Sequence, residues 1–168
     1  MLSPLNYSCR MTIARDYDVT VQEAAPRGIA AVRARVAASR VAAQFRIYLD
    51  QVYAARGSGI PQLDGQNIFV YRDVDGKPGE LEVEFGVGVA APFAAVGSVV
   101  YVTTPSGSVA TTTHRGDYAG LGDAHAAVIA WCGSHDVPLA GPRWEVYGYW
   151  HEGATPRTDI YYLVAPGR

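Results

Sequence analysis

The chain carries a weak internal repeat, and that repeat constrains its fold more than any single motif. Ile60 and Pro61 lead through Gly65 into IFVY at 68–71, while Val137 and Pro138 lead through Gly141 into WEVY at 144–147. Gly65, Val70 and Tyr71 each find their match 76 residues later, in Gly141, Val146 and Tyr147. One structural unit used twice is the simplest reading of a constant offset. At 168 residues the chain has the length of one compact domain, or of two small repeats sharing a core.

Periodicity gives both halves the same order of elements. Residues 27–37 read as a strand, and the following helix sets Phe45, Tyr48, Leu49, Val52 and Tyr53 along one apolar stripe. Strands at 67–73 and 80–89 follow, joined by the turn-rich VDGKPG. The second half opens with strands at 98–104 and 108–116, then a helix carrying Leu121, His125, Val128, Ile129 and Cys132 on one face, then strands at 143–151 and 158–165. The expected class is α+β: two antiparallel sheets, or two halves of one, each covered by a helix. Expected boundaries are an N-terminal extension at 1–17, repeat one at about 18–90, a linker at 91–97 and repeat two at about 98–166, within a single domain that runs to 168.

Charge and composition exclude several functions. A formal net charge of -2 with 18% charged residues offers no basic footprint for nucleic acid, so direct DNA binding is not expected. No stretch approaches the ~20 apolar residues that cross a bilayer, and the N-terminus lacks a signal-peptide core, so no membrane partner is expected. Cys9 and Cys132 stand far apart without metal-ligand spacing, and the four histidines show no two-His helical spacing. The expectations are a cytoplasmic protein with no metal and no cofactor. The G-V-G at 86–88 lacks the third glycine and the helix of a dinucleotide fingerprint.

The strand RWEVYGYWH is where chemistry concentrates. Alternation sends Glu145, Tyr147, Tyr149 and His151 to one side, and Trp144, Val146, Gly148 and Trp150 to the other. On the last strand Asp159 and Tyr161 share a face, opposite Ile160 and Tyr162. If the hairpin pairs closely, Glu145, Tyr147, Tyr149, Asp159 and Tyr161 line one surface, an aromatic floor with negative charge. Six of the 18 aromatic residues fall between 144 and 162, which favours a built wall over scattered packing. A carboxylate among rings attracts flat cations, each ring adding about 0.5–2 kcal/mol. The alternative is a solvent-facing Glu145 paired with Arg143 or Arg157 at the rim.

HRGDY at 114–118, VPLAGPRWEVYGYW at 137–150 and RTDIYYLV at 157–164 resemble the C-terminal repeat of GyrI-like small-molecule-binding domains. Such domains also serve as effector-binding domains of AraC- and MerR-type multidrug regulators. The resemblance spans Val19 to Val164 and is specific in the second half. It implies tandem strand-helix-strand-strand repeats with pseudo-twofold symmetry, a ligand groove between them, and a central acidic residue. That residue is Glu145, within the G-P-x-W-E-V-Y run, with Tyr147 two positions on and Asp159 and Tyr161 in the last strand. Phe69 is its counterpart in repeat one, which makes the site lopsided.

The implied partner is a small hydrophobic or aromatic ligand, with Trp144, Tyr71, Phe45 and Tyr48 as further contacts and any protein partner unknown. Because the repeats occupy nearly the whole sequence, a helix-turn-helix has no room, and a stand-alone member is expected. Stand-alone members also include hydrolases of cyclopropane-bearing genotoxic natural products and gyrase-inhibitory proteins. In a hydrolase, Glu145 would be a general base of raised pKa and Tyr147, Tyr149 or Tyr161 an oxyanion donor. The residues leave roles open elsewhere. The Phe45 and Tyr48 stripe suits core packing as well as ligand contact, His125 suits a core histidine, Cys132 a small buried hydrophobe, and Trp131 a far wall of the groove.

Overall fold

The computed structural model describes residues 16–149, 151 and 153–167. Most of the expected N-terminal extension lies outside them, as do Cys9, Trp150 and Glu152. Among the described residues ten helices and strands follow one another as two groups of five. The first group is β1 (Thr20–Ala24), β2 (Gly28–Ala37), α1 (Val41–Ala54), β3 (Leu63–Asp73) and β4 (Glu80–Val89). The second is β5 (Val99–Thr103), β6 (Gly107–Arg115), α2 (Leu121–Ser134), β7 (Leu139–Tyr147) and β8 (Arg157–Val164). A one-turn 3-10 segment precedes each helix, at Ala38–Arg40 and at Tyr118–Gly120.

All eight strands join one antiparallel sheet in the order β1-β6-β8-β7-β3-β4-β2-β5. The class is therefore α+β, with two halves of a single sheet. Exchanging each strand for the one four places away in the chain reverses this order onto itself. The first strand of each group crosses over: β1 pairs with β6, and β5 with β2. Strand β1 has no apolar alternation to announce it, since TVQEA is almost wholly exposed, and it forms because β6 would otherwise leave its backbone groups unpaired.

The repeated glycine has a structural cause. In β3 the pairing with β4 slips between Leu63 and Asn67, and in β7 the pairing with β8 slips between Leu139 and Arg143. Gly65 and Gly141 sit inside these two bulges at φ +79° and +112°, a backbone region that a side chain disfavours. One bulge per half thus fixes the register of the strand that follows it.

Alternation sorts the sheet into two faces. Toward the helices point Phe69, Phe85, Val83 and Val87, packed with Leu49 and Val52 of α1. Around α2 the same face buries Ile160, Ala124, Val128 and Cys132. The other face buries Ile29, Ile68, Val70, Val109 and Trp144. A fully buried ring such as Phe85 contributes roughly 2–3 kcal/mol by leaving water. Ile129, expected on the buried stripe of α2, lies at its edge and is half exposed. Among the described residues no helix is long and apolar enough to cross a membrane.

Candidate functional site

The two halves meet where β3 lies beside β7. Phe69 is registered directly opposite Glu145, with Ile68 opposite Val146 and Val70 opposite Trp144. Phe69 and Glu145 both point toward the helices, into a cavity of about 510 Å³ between α1 and α2. Its lining comes in equivalent positions from the two halves. Val41 and Phe45 of α1 answer Leu121 and His125 of α2, Ala38 answers Tyr118, and Tyr71 answers Tyr147. Half one supplies a mostly apolar wall with the Tyr71 hydroxyl and Asn67, and half two supplies the carboxylate and the imidazole.

Glu145 is 5% exposed, and three donors hold its carboxylate. Its Oε1 accepts from His125 Nε2 at 2.7 Å, and its Oε2 accepts from the Tyr71 hydroxyl at 2.7 Å and from the Tyr147 hydroxyl. Burial alone would raise this carboxyl, but the hydrogen bond and charge of His125, followed by the Tyr147 and Tyr71 hydroxyls, bring it below the ordinary glutamate value. The expected raised value is therefore overturned, because the sequence did not reveal these donors. Tyr71 and Tyr147 are pushed well above the usual phenol value, first by burial and then by the charge of Glu145, so both remain protonated donors.

Behind His125 stands a second partner. Its Nδ1 lies 2.8 Å from the Tyr162 hydroxyl, a phenol pushed up to about 12 mainly by burial. Both ring nitrogens are engaged, in neutral or charged form: a neutral His125 accepts from Tyr162 at Nδ1, and an imidazolium donates there. The result is a chain of hydrogen bonds from β8 through α2 to the central strands.

Five residues singled out from the sequence come together here: Glu145, Tyr147, Phe69, Tyr71 and Phe45. Phe69 packs between Phe45, at 5.9 Å between ring centres, and Tyr147, at 5.1 Å. The remaining five lie elsewhere. Tyr48 stacks on Phe85 at 4.8 Å inside the core. Trp144 stacks on Tyr161 at 5.2 Å on the far face of the sheet.

Asp159 and Tyr161 share that far face because Glu145 is registered with Ile160, one position away from the pairing that would have gathered them. There they border a separate, polar cavity of about 450 Å³, where Asp159 accepts from Thr113 at 2.6 Å and from Arg157 at 3.1 Å. Tyr149 lies past the end of β7 and is 54% exposed. Trp131 stacks on His135 at 4.1 Å and does not line the cavity.

Neither rim arginine serves Glu145, since Arg143 pairs with Asp73 and Arg157 with Asp159. The sequence reading missed His125 and Tyr118. His125 was hidden within an apolar stripe, although it shares the half that carries Glu145. Tyr118 is 56% exposed and meets Tyr147 edge-on at 5.6 Å. Among the described residues no three His, Cys, Asp or Glu side chains come together as a metal site.

Two helices over one antiparallel sheet, with a carboxylate at the bottom of a ring-lined cavity, form the concave, largely apolar kind of site that suits a small molecule. The chain belongs to the family of the GyrI-like small molecule binding domain, whose pattern matches residues 17–164. Among solved structures it is similar to the C-terminal domain of EcmrR, with a TM-score of 0.70 and 19% identity over 89% of this chain and 98% of that one. SAV2435 bound to tetraphenylphosphonium gives 0.64 and 13%, over 88% and 94% of the two chains. A hydrolase from Listeria innocua gives 0.52 and 11%, over 88% and 91%. At these identities the likeness shows a common fold. No curated protein matches the chain.

Proposed function

We propose that this protein binds flat, hydrophobic, often cationic aromatic compounds in the cavity centred on Glu145. The observation that carries this reading is a buried carboxylate, held by three donors, at the floor of a ring-lined cavity of about 510 Å³. Phe45, Phe69 and Tyr147 offer ring surface, and the low-dielectric wall strengthens the pull of the carboxylate on a cation. SAV2435, which shares the fold, is described with a lipophilic cation, tetraphenylphosphonium.

Titration calorimetry with tetraphenylphosphonium, a tetrahedral cation that presents four flat rings, tests the charge and ring contacts of the reading. Saturable binding is expected, weakened at least about tenfold by Glu145→Gln, with the neutral triphenylphosphine oxide much less affected. Equal affinities in both proteins would remove Glu145 from recognition. The alternative reading is hydrolysis of electrophilic, cyclopropane-bearing compounds with Glu145 as general base. Three donors and a lowered pKa make Glu145 a weak base near neutral pH, so binding is the better supported reading. Product formation that disappears in Glu145→Gln would reverse that order.

A further inference from the structure

The carboxylate at the floor of the cavity already has an imidazole partner within the protein. His125 Nε2 sits 2.7 Å from Glu145 Oε1, and its ring is held from behind by Tyr162 at 2.8 Å. The equivalent position in half one is Phe45, so an imidazole here is not required to fill the space between helix and sheet. We infer that His125 determines the charge class of the ligand: protonated, it neutralises Glu145 and suits neutral aromatic compounds, and deprotonated, it leaves the carboxylate's charge to an aromatic cation. This rests on the cavity being the ligand site, and it adds to that reading the residue that sets selectivity.

The surroundings leave this role to His125. On β7 it faces Glu145 and Tyr147, and on β3 Tyr71, all three of which hold their protonation state through neutral pH. On β8 it faces Tyr162, a phenol kept neutral. Arg143 of β7 is engaged by Asp73 of β3, and Tyr118, before α2, meets Tyr147 rather than the imidazole. Within α2, Asp123 is exposed and the Cys132 thiol is raised by burial. On β6, His114 is occupied by the Tyr17 hydroxyl at 2.8 Å and the Asp117 carbonyl at 2.7 Å. Histidine is the side chain whose charge ordinarily changes between about pH 5 and 8. His135 stacks on Trp131 and His151 lies past the end of β7, which leaves His125 as the histidine in contact with the carboxylate among the described residues.

The coupling is reciprocal. A bound cation and the imidazole proton compete for one carboxylate, so binding the cation releases a proton, and lowering the pH weakens the cation. A neutral ligand exchanges no proton.

Calorimetry on the full chain with tetraphenylphosphonium and triphenylphosphine oxide, from about pH 5.5 to 8, tests this. For the cation, affinity is expected to rise about tenfold across that range, with proton release seen as a dependence of the heat on buffer ionisation. For the oxide it is expected to change less than about twofold. His125→Gln, which keeps a donor to Glu145 without a charge, should flatten the cation profile at its high-pH affinity, and His125→Phe copies the side chain of the other half should the first variant fail to fold. A flat profile in the unmodified protein, or a pH-dependent one that persists in either variant, overturns the inference while leaving the cavity reading intact. Failure of both probes to bind at any pH overturns both.

Discussion

Phe69 and Glu145 face each other across β3 and β7, and their numbers differ by the same 76 residues that separate the sequence repeats. A residue registered opposite its own counterpart marks the line on which the two halves meet. At that line one half supplies a ring and the other a carboxylate, so the cavity above it is polar on one flank and apolar on the other.

Phe69→Glu tests how much depends on that difference. Two carboxylates registered side by side in a buried site cannot both ionise readily, so one is driven to keep its proton. The expected cost is about 3 kcal/mol at pH 7, by loss of ring burial and by repulsion, with partial recovery as the pH is lowered toward 5. Urea unfolding at the two pH values measures it. A loss that does not vary with pH would place the two side chains out of electrostatic contact.

The lowered carboxyl of Glu145 predicts how stability depends on acid. A group that holds its proton less tightly when folded stabilises the fold fully above its unfolded value, near 4.5, and loses that contribution as the pH falls through the lower folded value. Urea midpoints measured from pH 7 down to about 3 should therefore fall less steeply for Glu145→Gln than for the unmodified protein in the acid range. Parallel curves would show that Glu145 titrates normally.

Tyr71→Phe removes one of the two phenol donors to Oε2 and keeps the buried ring. Losing a hydrogen bond to a charged acceptor costs about 1.5–3 kcal/mol at pH 7. The deficit should shrink as the carboxylate takes up its proton below pH 4.5. A deficit independent of pH would mean that the hydroxyl serves something other than Glu145.

Gly65→Ala and Gly141→Ala separate conformational cost from crowding. Neither position has an atom within 4 Å of an added Cβ, so the whole penalty is backbone strain at positive φ. Losses of about 1–2 kcal/mol are expected, larger at Gly141, whose φ of +112° lies farther from the left-handed helical well. Thermal unfolding of the two variants checks the order.

Much of this was legible in the sequence. The offset of Gly65 and Gly141 announced two units, the stripe from Phe45 to Val52 announced α1, and alternation put Glu145 and Tyr147 on one side. The partner strand was misjudged because parity across a hairpin depends on where the first strand stops and the second starts. β7 ends at Tyr147 and β8 begins at Arg157, and that span set Ile160, not Asp159, beside Glu145. Tyr149 was lost with the same boundary. His125 escaped because an apolar stripe shows which side of a helix is buried and says nothing of the polar atom a buried side chain will meet on a distant strand. Strand β1 escaped because its pairing, rather than its own pattern, makes it a strand.

The crossing of β1 to β6 and of β5 to β2 means that each half is completed by a strand lent from the other. Severing the chain between them would leave the pieces clasped. Two identical copies of such a half, assembled in the same way, would be bound to mirror one another at the midline, ring against ring or acid against acid. Covalent union frees the two sides to diverge, and an amphipathic chamber becomes possible where a symmetric dimer would have to repeat itself.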